Sequence, residues 1–191
     1  MQKLRTFIAL PLPSELKEQM ARVQSELRNA DADVKWDSRD KFHITLKFLG
    51  EVPEESVDEL MVAMEESVSG IAPFKLEVRE LGAFPDLNRV QVVWVGVKGE
   101  PAQISRLQQK IESNTEQLGF PRESRAFTPH LTLGRVRSEA SANERQRLGK
   151  VLAGIAFIAL HGIDVSALSL MKSQLTSVGA IYTCIGSVKL K

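Results

Sequence analysis

One tetrapeptide pattern occurs twice in this chain: His43-Ile44-Thr45-Leu46 and His130-Leu131-Thr132-Leu133. Around the first copy, Phe42, Ile44, Leu46 and Phe48 alternate with His43, Thr45 and Lys47, which is the period of a half-buried strand. The second copy alternates in the same way. Residues i and i+2 of a strand share a face, roughly 6.6 Å apart. Each segment therefore sets an imidazole beside a hydroxyl on one face and buries its apolar residues on the other. The chain has only 3 histidines, and two of them fall in this pattern. Any fold for the chain must accommodate two such strands.

A length of 191 residues permits one large domain or two small lobes. A net charge of +1 argues against a broad nucleic-acid-coating surface but leaves room for a local anion site. The lone cysteine, Cys184, has no Cys or His neighbour at metal-ligand spacing, so neither a disulfide nor zinc is expected. Lys3 and Arg5 precede an apolar run, but Pro11 and Pro13 break it too early for a signal peptide. The apolar stretch 151–160 is too short to span a bilayer. A soluble, cytoplasmic, monomeric protein is the expectation.

Periodicity predicts a strand over 4–10, a helix over 14–29, a short strand at 34–36 and the first motif strand over 42–49, closed by Gly50. Pro53 is expected to open a second helix, carrying Val57, Leu60, Met61, Met64 and Val68 on one stripe. Strands follow over 73–80 and 90–97, then a third helix ended by Gly119 and a loop rich in Arg and Pro over 120–129. The second motif strand spans 130–136. Ser141 and Glu144 form a capping box ahead of a fourth helix, and closing strands are read over 156–170 and 181–190. Two motif strands, each with helices before and after, point to a duplicated unit. The expected architecture is α+β and bilobal, with two antiparallel sheets facing a central cleft and helices outside. The whole chain, 1–191, is expected to form a single domain.

An imidazole titrates near ~6.5, so at neutral pH one can act as base while another acts as acid. Two facing His-x-Thr units supply a base, an acid and two hydroxyl donors for anionic oxygens. That set suits in-line displacement at phosphorus, with no metal or other cofactor required. A strained 2′,3′-cyclic phosphate asks least of such a site. The residues leave open which histidine is the acid. A single H-x-T-L is an ordinary stretch of strand; its repetition after Phe on two alternating strands is what favours chemistry. His161, followed by Gly162, is read as a loop or strand-end residue.

These motifs resemble those of the two-histidine (2H) phosphoesterase superfamily, and within it the RNA 2′,3′-cyclic phosphodiesterases, also called 2′-5′ RNA ligases. The resemblance extends to R-T-F-I-A-L-P-L, to K-F-L-G after the first motif, to F-T-P-H and G-R-V around the second, and to L-S-L-M-K-S and the stretch 179–182 near the end. It implies metal-free hydrolysis of RNA 2′,3′-cyclic phosphate ends, or of nucleoside 2′,3′-cyclic phosphates, to 2′-phosphates. It implies His43 as proton donor, His130 as proton acceptor, and Thr45 and Thr132 as phosphate ligands. Lys47, Arg125 and Arg135 are further candidates for RNA contact. Lys47 shares the cleft face by alternation, Arg122 and Arg125 precede the second motif, and Arg135 lies off that face unless a bulge at Gly134 re-aims it. Phe42, Phe48, Phe84 and Trp94 could stack a base or fill the core. The same groups would serve an RNA ligase joining a 2′,3′-cyclic end to a 5′-hydroxyl, and the scaffold could also serve as a non-catalytic RNA-end binding module.

Overall fold

The computed structural model describes residues 2–159, 161–177 and 179–191. Among them, strands and helices alternate along most of the chain. β1 (Lys3–Leu10), α1 (Ser14–Leu27), β2 (Val34–Trp36), β3 (Ile44–Pro53), α2 (Val57–Val68) and β4 (Phe74–Phe84) come first. β5 (Val92–Gly99), α3 (Pro101–Glu116), β6 (His130–Val136), α4 (Ala142–Gly154), β7 (Ile163–Val165), β8 (Ala167–Thr176) and β9 (Gly179–Lys189) follow.

Each helix lays an apolar stripe on the sheet, as its spacing predicts. Leu16, Met20, Val23 and Leu27 of α1 are buried, as are Leu60, Met64 and Val68 of α2. α3 buries Ile104, Leu107 and Ile111, and α4 buries Leu148 and Leu152. They meet Ile8, Leu10, Ile44, Val93, Val95, Leu131 and Leu133 from the strands in one continuous core. Fully burying such a side chain contributes about 1.5–3 kcal/mol. The capping box read from the sequence starts α4: Glu144 N–H donates to Ser141 Oγ (3.3 Å), and Ser141 N–H donates back to the Glu144 carboxylate (2.8 Å).

The strands run in the order β7-β4-β5-β6-β3-β1-β8-β9, with β2 added beside β6. Every pairing among them is antiparallel. In place of the two expected sheets, the described residues form one continuous nine-stranded sheet. Its halves, β7-β4-β5-β6 with β2 and β3-β1-β8-β9, join where β3 meets β6 at the pair Ile44↔Leu131, so hydrogen bonding runs unbroken across the seam. The halves also exchange strands. β2 and β4, from the first part of the chain, pair with β6 and β5; β8, from the second, pairs with β1 and brings β9 beside it.

Several boundaries differ from the sequence reading. β3 begins at Ile44 and runs on through Gly50, whose φ of 73° lets the strand turn without breaking. A 3₁₀ turn, Glu54–Ser56, separates Pro53 from α2. The strand expected over 156–170 is instead a bridge at Ile158 to Arg79, then β7 and the start of β8; Leu160 within it lies outside the described residues. No described helix is long and apolar enough to cross a membrane.

Candidate active site

The two motifs meet at the seam between the halves. Because Ile44 pairs with Leu131 in antiparallel register, His43 lies opposite Thr132 and Thr45 lies opposite His130. The two histidines are then diagonal neighbours, with backbones ~7–8 Å apart. Ile44 and Leu131 are fully buried on the helix side, whereas all four motif side chains are partly exposed on the other face.

Both rings are held in the same way. His43 Nδ1 lies 2.6 Å from the Lys41 carbonyl, and His130 Nδ1 lies 2.7 Å from the Thr128 carbonyl. A carbonyl only accepts, so both rings carry hydrogen on Nδ1 and present Nε2 to the cleft. His43 Nε2 sits 3.0 Å from Thr45 Oγ1. With His43 neutral, the threonine hydroxyl donates to it. Once His43 is protonated, that hydroxyl is released to donate elsewhere.

Burial lowers the pKa of both histidines from 6.5, partly offset by their carbonyl hydrogen bonds. Lys17 and His130 lower His43 further, and Arg135 lowers His130 further. Both imidazoles therefore favour the neutral form more than a free imidazole does. An anion placed between them would favour the charged form of one.

Aromatic rings from other strands of the sheet pack on each imidazole. Phe7 (centroid distance 4.7 Å) and Tyr182 (5.3 Å) pack on His43, while Phe84 (5.1 Å) and Trp94 (6.4 Å) pack on His130. Phe7 and Tyr182 are not legible as site residues, because only the long-range pairing of β1 with β3 and with β8, whose hairpin carries β9, brings them there. Of the aromatic candidates, Phe42 is core at 2% exposure, and Phe48 is 68% exposed beside Phe7. Asp37 also belongs to this neighbourhood. Burial raises its pKa, opposed by Arg135, Lys41 and Lys35; Tyr182 is raised chiefly by its own burial and then by the Asp37 charge.

The three basic candidates separate. Lys47 is not in the cleft: it is 5% exposed and ion-paired with Glu112 of α3, and it donates to the Pro121 carbonyl (2.8 Å). The reason is a bulge. Ala9 pairs with Thr45 but Ile8 with Lys47, so the extra residue Leu46 inverts the alternation and turns Lys47 to the helix side. A bulge acts in the opposite sense on Arg135. Trp94 pairs with Thr132 and Val93 with Gly134, so the extra residue is Leu133, and Arg135 shares the face of Thr132. Its electrostatic effect on His130, Asp37 and Tyr182 agrees with that position. Arg125 is exposed in the loop before β6 and pairs with Glu123 at 3.3 Å. No group of three or more His, Cys, Asp or Glu side chains among the described residues is arranged to hold a metal ion.

The model of the LigT-like phosphoesterase family matches the chain twice in tandem, over residues 10–94 and 95–182. The RNA 2′,3′-cyclic phosphodiesterase of Methanothermobacter thermautotrophicus is 34% identical over 95% of this chain and 96% of its own. That of Aeropyrum pernix is 34% identical over 89% and 94%. Among solved structures, E. coli LigT complexed with 3′-AMP superimposes with a TM-score of 0.80 at 25% identity, covering 99% of both chains.

Proposed function

Because the chain belongs to the LigT-like phosphoesterase family, we propose that it is an RNA 2′,3′-cyclic phosphodiesterase that opens 2′,3′-cyclic phosphate ends to 2′-phosphates by acid–base catalysis between His43 and His130. The observation that carries this reading is the register at the seam, which presents two Nδ1-anchored imidazoles and two threonines on one face.

The geometry supports the following steps, with His130 as base and His43 as acid as the family resemblance implies. Nε2 of neutral His130 takes a proton from water, and the water oxygen attacks phosphorus. The P–O3′ bond breaks in line, and protonated His43 gives its Nε2 proton to the departing O3′. The products are a 2′-phosphate and a free 3′-hydroxyl. Thr132 and Thr45 donate to the non-bridging oxygens, Thr45 being free to do so because His43 is protonated in this state. Attack and departure on opposite sides of phosphorus require acid and base to flank it, which diagonal neighbours across two strands do. Arg135 adds positive charge beside the phosphate, and Arg125 is a further RNA contact at the loop. Residues 1–191 act as one bilobal domain, as a cytoplasmic monomer and with no cofactor.

The test is an end-group assay on short RNA bearing a 2′,3′-cyclic phosphate, run with and without EDTA. Conversion to 2′-phosphate at the same rate in both is expected. A cyclic end that survives, or activity lost to EDTA and restored by a divalent ion, contradicts the proposal.

A further inference from the structure

Beside the cleft, at the β5 start and the β6 end, lies an open cavity of ≈ 620 Å³ walled by Arg89, Gln91, Arg135, Ser138 and Arg145 with two valines. No carboxylate lines it. Arg145 is held rigidly: its guanidinium donates to the carbonyls of Val90 (2.6 Å), Arg137 (2.7 Å) and Ala140 (3.3 Å). Those acceptors fix its orientation without neutralising its charge. Among the described residues, neither Arg145 nor Arg135 has a carboxylate within ion-pair distance. Arg89 shares its charge with Asp86 (3.2 Å). Asp37 faces Arg135 from the β2 side, and the balance across the cavity remains positive.

Arg135 belongs to both the cavity and the cleft. It stands opposite Val92, and Thr132 stands opposite Trp94 on the same face. Two residues of strand, roughly 6.6 Å, therefore separate a phosphate-holding hydroxyl from the edge of the cavity. One ribose bridges such a gap.

Building on the function proposed above, we propose that this cavity is a second anion subsite, and that it takes the internucleotide phosphate immediately 5′ of the terminal cyclic phosphate. The preferred substrate is then an oligonucleotide end rather than a mononucleoside cyclic phosphate. A guanidinium is suited to the phosphodiester, because its planar N–H fork matches the two non-bridging oxygens. Arg145 keeps N–H groups beyond the three carbonyl bonds for that purpose.

The test compares a nucleoside 2′,3′-cyclic phosphate with a dinucleotide ending in a 2′,3′-cyclic phosphate. Parent protein, Arg89→Glu and Ser138→Glu are assayed on both. Arg89 and Ser138 are exposed, so neither change disturbs the core. The parent KM should be about tenfold lower for the dinucleotide. Each variant should raise that KM about tenfold and leave the KM for the mononucleoside substrate and both kcat values unchanged. Equal parent KM values, or the same rise for both substrates, would overturn the subsite. Fluorescence anisotropy with a 5′-labelled tetranucleotide carrying a 3′-phosphate reads the subsite without turnover. Weaker binding by both variants supports it, and unchanged binding rejects it. A parent that hydrolyses neither substrate would sink the functional proposal alone, and the binding result would still decide the subsite.

Discussion

At the scale of the residue, the proposed chemistry rests on how two imidazoles are oriented. Each gives its Nδ1 hydrogen to the carbonyl two residues earlier, Lys41 for His43 and Thr128 for His130. Such a bond fixes both tautomer and ring plane before substrate arrives. Replacing His43 or His130 with alanine should lower kcat by about 10²–10⁴-fold, the usual contribution of a positioned acid or base. Affinity for a 2′-phosphate product should fall far less, because Thr45, Thr132 and Arg135 remain. Steady-state kinetics with product inhibition would check this. If either alanine variant kept near-parental kcat, that histidine would not be the acid or base. The double variant should be little slower than either single one, since the two groups act on one event.

At the scale of the element, bulges decide which side chains reach the cleft. The sequence shows both motif strands, the helical stripes and the α4 capping box, because local periodicity and short-range hydrogen bonds produce them. It does not show the extra residues Leu46 and Leu133, which depend on the register with β1 and β5. For that reason strict alternation misplaced Lys47. That lysine instead joins Glu112, which also accepts from Gln108 (2.9 Å) and from the Glu123 backbone (3.4 Å). This network ties β3 and α3 to the loop that leads into β6. Lys47→Met would leave a buried carboxylate without its counter-charge, at a cost of about 3–5 kcal/mol, while Lys47→Met with Glu112→Leu should recover most of it. Urea unfolding of both variants reads the difference; equal stability of the two would deny that the pair acts as a unit. Gly82 makes the second test. A Cβ there would stand 2.3 Å from the Trp94 ring, so glycine is what lets the indole lie across β4. Gly82→Ala should cost about 1–3 kcal/mol from overpacking and lower kcat by displacing Trp94 from His130. Parental activity in a folded Gly82→Ala protein would remove Trp94 from the account of how His130 is positioned.

At the scale of the molecule, the two halves are complete only together. Exchange of β2 and β4 for β8 and β9 means that each half-sheet contains strands from the other part of the chain. The seam at Ile44↔Leu131 is consequently not a loose junction, and the cleft it forms is shared. The tandem match of the family model over 10–94 and 95–182 fits the duplication that the paired motifs suggest. The strand exchange has no local signature. Nor does the approach of Tyr182 to His43, since β9 lies two strands beyond β1. Both arise from long-range pairing, which single-sequence patterns do not encode. In the proposed reaction the cleft as a whole places one acid and one base on a single phosphorus. The pH dependence of kcat/KM on a 2′,3′-cyclic phosphate tests this most directly. Below the pKa of the base, His130 is protonated and cannot accept; above that of the acid, His43 is neutral and cannot donate. Both are lowered from 6.5, so the parent should give a bell with its maximum on the acid side of that value. The residual activity of His43→Ala should lose the alkaline limb, and that of His130→Ala should lose the acidic limb. A bell that survives intact in either variant, or the loss of the same limb in both, would contradict a divided acid–base pair.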